Sequence, residues 1–266
     1  MKKVLTIAGS DCSGGAGIQA DLKTFSAFGT FGMSVVTSIV AENTFRVIEI
    51  QDTRADMVEK QLIAIFEDIV PDAIKIGMLP SKEIMQTVAK FLKENKEEAR
   101  NIVIDPVMYA KNGCALMDVE NIDTLIETIV PLADVLTPNI PEAEHLAAMK
   151  IENEDDVKEA CIKIHKMGCK NILIKGGHSS GNEACDILYD GIQFHKFCTQ
   201  KIDTKNTHGT GCTYSSAIAA NLAKGENIVN ALEISKEYIT NAIKYSLDIG
   251  KGHGPTNHFH QFFRNA

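Results

Sequence analysis

Apolar positions along this chain follow two rhythms. In the first, short runs rich in Val, Ile and Leu stop abruptly at glycine, aspartate, asparagine or lysine: 4–8, 34–40, 73–76, 101–104, 134–137 and 171–175. Runs of that length with little alternation predict strands buried on both faces, as in a parallel sheet. In the second, apolar residues return every three or four positions, as Ile18, Leu22, Phe25 and Phe28 do, and as Val58, Leu62, Ile65, Phe66 and Ile69 do. That spacing predicts helices over 18–28 and 56–69. Further helices are predicted over 82–92, 121–129, 141–149, 154–167, 214–223 and 227–249. Ser81 caps the 82–92 helix and Gly168 stops the 154–167 helix. Asp190-Gly191, between 186–188 and 192–197, predicts a hairpin. Strands alternate with helices nearly throughout, so the fold class is α/β with a mostly parallel sheet.

Composition narrows this picture. The chain has 266 residues, 44% of them hydrophobic, enough for one large core. No linker, repeat or low-complexity stretch divides it, so one domain over 1–266 is expected. A net charge of −8 argues against a general nucleic-acid or membrane-surface partner. The first apolar run breaks at Asp11, too short for a signal segment or a membrane span. Seven cysteines, an odd number without framework spacing, fit reduced thiols in a cytoplasm. Cys161, Cys169, Cys185 and Cys198 are expected as core or surface thiols.

Candidate chemistry gathers where the strand runs end: Ser10-Asp11, Glu42-Asn43, Gly77, Asp105, Asn139 and Lys175-Gly176. In open α/β sheets, ligands bind in the crevice at that edge. The stretch from Asp203 to Thr213 adds a glycine-rich turn, Gly209-Thr-Gly-Cys212, opening directly into a helix. Glycine permits a backbone conformation that lets the first helical N–H groups point together. Those donors lack partners inside the helix, and the dipole adds positive character, so the turn is a candidate phosphate site. Cys212 falls in the first turn, where a thiol pKa is expected to drop. The turn is not a Walker A loop, since the Gly-Lys-Ser/Thr ending is missing.

Eight segments then occur in order: Thr6-Ile-Ala-Gly-Ser-Asp11, Ser13-Gly-Gly-Ala-Gly17 with its continuation to Phe25, Lys75-Ile-Gly-Met-Leu79, Asp105-Pro-Val-Met108, Thr137-Pro-Asn-Ile-Pro-Glu-Ala143, Lys175-Gly-Gly-His178, Asn206-Thr-His-Gly-Thr-Gly-Cys-Thr213 and Gly254-Pro-Thr-Asn-His-Phe-His260. From about Val4 to His260 the chain resembles the hydroxymethylpyrimidine/phosphomethylpyrimidine kinases of thiamine biosynthesis, in the ribokinase-like superfamily. The resemblance implies a three-layer α/β/α sandwich, commonly dimeric. It implies phosphorylation of 4-amino-5-hydroxymethyl-2-methylpyrimidine with ATP and Mg²⁺, and then of its monophosphate to the pyrophosphate.

On that resemblance, Gly209, Gly211 and Cys212 are the catalytic residues, the amides stabilising the transferring phosphoryl group and Cys212 acting as base. Many ribokinase-like sugar kinases have an aspartate there, while the pyrimidine kinases share the cysteine. Thr210, Lys175, Asn139 and Glu142 are expected at the nucleotide. Asp105 and Glu142 are expected at Mg²⁺, partly through water, although Glu142 also reads as an ordinary helix-start carboxylate. Glu42 is expected on the aminopyrimidine edge, with Asp21, Met78, Val107 and Gly9 lining the pocket. Residues 107–114 correspond to a flap that excludes water.

Two rival readings remain. A pyridoxal or pyridoxine kinase is disfavoured by Ala110, where such relatives carry a flap cysteine, and by Ala41-Glu-Asn-Thr44. A non-catalytic pyrimidine or nucleotide sensor is disfavoured by the intact Gly209, Gly211 and Cys212. His253, His258 and His260 lack the cysteine or carboxylate partners that a metal site needs.

Overall fold

The computed structural model describes residues 1–109, 119–176 and 181–263. Its elements in order are β1 (Lys3–Asp11), α1 (Gly17–Ala27), β2 (Phe31–Glu42), β3 (Val47–Asp52), α2 (Ala55–Phe66), β4 (Ala73–Ile76), α3 (Lys82–Glu94), β5 (Ile102–Ile104), α4 (Ile122–Thr124), β6 (Val135–Leu136), α5 (Ile140–Ala147), α6 (Glu154–His165), β7 (Asn171–Lys175), β8 (Glu183–Tyr189), β9 (Phe194–Gln200), α7 (Thr210–Lys224) and α8 (Ile228–Lys244). All nine strands join one sheet, in the order β3-β2-β1-β4-β5-β6-β7-β8-β9. The pairs from β2 through β7 are parallel. β3 and the β8–β9 hairpin add antiparallel edges.

The unbroken apolar runs now have their cause, because helices cover both faces of the parallel strands. Leu5, Ile7, Ile74, Ile76, Ile102 and Ile104 pack in one core with side chains of α2, α3, α5 and α6. Their alternates Val4, Ala73, Val103 and Leu173 face a second core built on α1, α7 and α8. This is the expected three-layer sandwich. The chain steps one way from β1 to β2 and then returns to place β4 on the other side of β1. The order therefore reverses at β1, and a crevice opens there at the strands' C-terminal ends.

Three elements depart from the sequence expectation. β3 was not expected: β2 runs on to Glu42 and turns over Asn43, whose side chain accepts from the amides of Phe45 and Arg46, both at 3.1 Å. An Asx-type turn without glycine or proline hides this hairpin. The 121–129 helix is only one regular turn, α4, running into a wider turn over Leu125–Ile129 and a 3₁₀ turn over Val130–Leu132. Pro131 has no N–H to donate there. The last helix ends at Lys244, not 249. The chain instead folds back, with the Gly252 amide donating to Thr44 Oγ1 at 3.1 Å and the His253 amide to the Thr44 carbonyl at 2.8 Å.

Candidate active site

Two glycine-rich turns interlock at this crevice. Asp11, the last residue of β1, accepts the amides of Ser13 at 2.7 Å, Gly15 at 3.0 Å and Ala16 at 2.7 Å, folding the turn that opens α1. His208, in the turn that opens α7, donates Nε2–H to the same carboxylate at 2.8 Å. Burial opposes the charge on Asp11, but His208 and these amides outweigh it and hold the carboxyl below its usual range. Gly209 has φ 76° and lies so close to the Gly15 carbonyl that a side chain there would collide with it. Helices α3, α5, α6 and α8 start with side-chain caps. Helices α1 and α7 start at the crevice with none. First-turn amides without intrahelical partners need an acceptor from elsewhere, and a ligand anion can supply it.

The turns border a cavity of about 770 Å³, into which sequence-predicted residues from six strand ends converge. By their contacts the lining residues fall into two halves: Glu42 interacts with Asp11 and His208, whereas Asn139, Glu142 and Lys175 gather with Asp105; Gly9, Met78 and Val107 line the cavity as well. Thr210, Gly211 and Cys212 line it from the start of α7, beside Asp105 and Lys175. Asp105 is buried and accepts from Lys175 Nζ at 2.7 Å through one oxygen, while its other oxygen faces Gly211, 3.0 Å from where a Cβ would sit. Lys175 is driven down by burial, but Asp105 and Glu142 overcome this and raise its pKa, so it stays charged. Glu142 and Asn139 form a reciprocal capping box, with the Asn139 amide donating to Glu142 at 2.8 Å and the Glu142 amide to Asn139 at 2.9 Å. Glu142 also accepts from the Met108 backbone, and burial, aided by Asp105, lifts its carboxyl to about 7. Burial likewise lifts Glu42 to about 7, with Asp11 raising it further and His208 pulling it down.

Some expectations need correction. Cys212 does lie in the first turn of α7, and the Gly17 amide at the start of α1 points at its sulfur. Yet burial pushes the thiol up to about 11, and Lys75 and Gly17 only reduce the rise. The helix terminus does not prevail over desolvation. Asp21 does not line the cavity. It is fully enclosed, accepting from Thr6 at 2.6 Å, Ser216 at 2.7 Å and Lys75 Nζ at 2.9 Å. Lys75 is what reaches the lining, and although burial works against its charge, Asp21 leads the groups that keep it an ammonium. Cys185 and Cys198 are not free thiols: they are register partners on β8 and β9, joined by a disulfide. Ala110 and Cys114 of the flap, and His178, lie outside the described residues.

Lys75 and Asp186 gave no separate signal in the sequence, and neither did the pairing of the strand-end Asp11 with His208. Lys75 sits inside an apolar strand run, and Asp11 and His208 are 197 positions apart. Asp186 on β8 holds Lys236 of α8 at 2.6 Å and accepts the Gly176 amide at 3.1 Å, bracing the end of β7. Only the motifs containing Lys75, Asp11 and His208 marked their neighbourhoods.

Over residues 11–257 the chain matches the phosphomethylpyrimidine kinase family. It belongs to that family. It is 44% identical over 265 residues to the hydroxymethylpyrimidine/phosphomethylpyrimidine kinase of Bacillus subtilis, covering 99% of this chain and 97% of that protein. It is 48% identical over 255 residues to the thiamine biosynthesis bifunctional protein ThiED of Geobacter sulfurreducens, covering 96% of this chain and 52% of that protein. The chain thus spans about half the length of the bifunctional relative. Among solved structures, the phosphomethylpyrimidine kinase of Clostridium difficile superposes with a TM-score of 0.82 at 47% identity, covering 91% of this chain and all of that one. The pyridoxal kinase of Staphylococcus aureus, in complex with AMP-PCP and pyridoxal, superposes with a TM-score of 0.90 at 35% identity, covering 99% of this chain and 95% of that one. The sandwich is therefore the ribokinase-like fold of these vitamin kinases.

Proposed function

We propose that the protein transfers the γ-phosphoryl group of ATP to the hydroxymethyl oxygen of 4-amino-5-hydroxymethyl-2-methylpyrimidine, and then phosphorylates the monophosphate to the pyrophosphate. The observation that carries this reading is that the uncapped start of α7 meets both groups of lining residues: Gly209 packs on Gly15 beside the Asp11–His208 pair that acts on Glu42, and a Cβ at Gly211 would lie 3.0 Å from Asp105 and 3.5 Å from Lys175 Nζ. An acceptor alcohol and a phosphate donor can meet there. The amides of Gly211 and Cys212 receive charge that builds on the transferred group, while Lys175 and Lys75 offset it. Glu42, near its midpoint at neutral pH, pairs with the amine and ring nitrogen of the pyrimidine. Cys212 takes the hydroxyl proton.

The Asp105 oxygen beside Gly211, the one not bonded to Lys175, suits a hard cation that keeps several waters. Mg²⁺ would be held there by Asp105 through water, and when bound it supplies neutralisation of the donor phosphates. Glu142 fits this less directly, since its carboxylate is committed to the capping box and to Met108. Within the same reading the chain is one cytoplasmic kinase domain, the single continuous sheet supporting one domain; among the described residues no helix is long and apolar enough to cross a membrane. The exposed Ile39, Phe45 and Ile48 at the β2–β3 edge support a homodimer.

A second reading, pyridoxal phosphorylation, is favoured by the close superposition on the S. aureus pyridoxal kinase. ADP release with Mg-ATP, compared across the pyrimidine, its monophosphate and pyridoxal, separates the two. Turnover on both pyrimidine species with little on pyridoxal is expected. A preference for pyridoxal overturns the substrate and keeps the phosphoryl-transfer site.

A further inference from the structure

The Cys185–Cys198 disulfide plays no part in the phosphoryl transfer derived above, yet it sits on the wall of the nucleotide half. Side chains alternate along a strand, so the two cysteines point away from the face used by their neighbours. Ala184 and Asp186 of β8 and Thr199 of β9 line the cavity, as does Gln200 where β9 ends, and neither cysteine does. The backbone of Cys185 is nevertheless tied to the site. Its carbonyl packs so tightly on Gly176 that no side chain fits there, and the next residue, Asp186, anchors both the Gly176 amide and Lys236. Gly176 follows Lys175, the cation that faces Asp105.

Accessibility sets this pair apart from Cys161 and Cys169, though not from the exposed Cys12. Cys198 is exposed and Cys185 partly so. Cys161 and Cys169 are enclosed, with thiols pushed up by burial to about 12. Where a cell is kept reducing, a disulfide between accessible cysteines is characteristically transient and redox-sensing.

We propose that Cys185 and Cys198 form a thiol–disulfide exchange site for low-molecular-weight disulfides and thiols, whose oxidation state sets the affinity of the adjoining half of the cavity for nucleotide. The coupling rests on reading that half as the nucleotide site. In oxidation, one thiolate attacks a small disulfide and expels one small thiol, leaving a mixed disulfide. The second cysteine thiolate attacks the protein sulfur of that bond and expels the other small thiol. The protein pair loses two electrons and two protons, and the small disulfide becomes two thiols. Reduction by small thiols runs the same steps backwards. The cross-link holds β8 against β9, so less ordering is left to be done when a nucleotide binds, and the oxidised form binds more tightly.

The test uses the full chain equilibrated in glutathione buffers of opposite poise. Peptide mapping by mass spectrometry reads the disulfide, and calorimetry with AMP-PCP reads affinity. The oxidised protein is expected to show the Cys185–Cys198 link and to bind about three- to tenfold more tightly than the reduced protein. The Cys185→Ser/Cys198→Ser double variant should bind as the reduced protein does and ignore the buffer. Failure of the link to form in oxidising buffer overturns the proposal. So does equal affinity in the two states, or an unchanged redox response in the double variant, which would assign the effect to another thiol such as Cys12. A mapped disulfide with no AMP-PCP binding in either state overturns the nucleotide reading and the coupling, and leaves the exchange site standing.

Discussion

At Cys212 two opposing effects meet on one sulfur. The start of α7 and the Lys75 ammonium favour a thiolate; removal from water favours a thiol and wins, placing the pKa near 11. A base of that strength is mostly protonated at neutral pH, so turnover limited by proton transfer to Cys212 should climb from pH 7 toward 10, by up to about tenfold per unit. Replacing Cys212 with Ala should cut turnover by roughly 10²–10⁴ while leaving pyrimidine binding nearly intact. Calorimetry beside the rate measurement decides this, because an equal loss of binding would remove the proposed role. Glu142 makes a different prediction. Its folded pKa of about 7 stands above the ordinary 4.5, so the neutral carboxyl is the form the fold prefers. That contribution is fully present below pH 4.5 and is lost as pH rises through 7. Between pH 5 and 8 the Tm should fall, and Glu142→Gln should fall less steeply in a nucleotide-free, chelator-containing buffer. Asp11, held low, acts with the opposite sign but below that window. Residue types and strand-end positions marked Cys212, Asp105 and Lys175 in the sequence. The partner that keeps Lys75 charged is 54 positions away, and no local pattern links it to Asp21.

Among the elements, the turns matter more than the helices they open. Gly209 and Gly225 both have positive φ, at 76° and 98°, at the two ends of α7. A side chain at Gly225 would meet nothing within 4 Å, whereas at Gly209 it would meet the Gly15 carbonyl. Gly225→Ala should therefore cost only backbone strain, about 1–2 kcal/mol, with activity retained. Gly209→Ala adds a collision between the two interlocked turns and should cost more in urea unfolding while abolishing ADP release. Similar losses from the two variants would show that the turns are not locked together. Helix existence was legible wherever a 3.6 period met a cap signal, as at Ser81 and at Gly168. Where an element ends was less so. Ile249 continues the apolar rhythm of α8, but the hydrogen bonds between Thr44 and Gly252–His253 draw the chain away after Lys244. β3 escaped notice because its edge position leaves Ile48 exposed, which weakens the alternation that marks a strand.

Across the whole molecule, the cavity belongs to no single element. Asp11, Glu42, Met78, Asp105, Asn139 and Lys175 come from the ends of the six parallel strands, and the β8–β9 hairpin and α8 add to the lining. A ligand that touches so many elements should stabilise the fold as a unit. AMP-PCP at about 100 times its Kd is expected to add about 2.7 kcal/mol, a rise of several degrees in Tm. A Tm that does not move at saturating AMP-PCP would mean that the folded protein does not bind the nucleotide.

The amino-acid sequence by itself determined the layered α/β architecture, since uninterrupted apolar runs can be buried only with helices on both faces. It also determined which strand ends carry polar chemistry and that a glycine turn opens α7, because these depend on spacing over a few residues. Tertiary structure alone decided the thiol state of Cys212, the burial of Asp21 behind Lys75, the Asp11–His208 link and the pairing of Cys185 with Cys198. Each of these depends on desolvation or on a partner far along the chain. Neither is a property of local sequence, because both arise only when distant segments close over one another and exclude water.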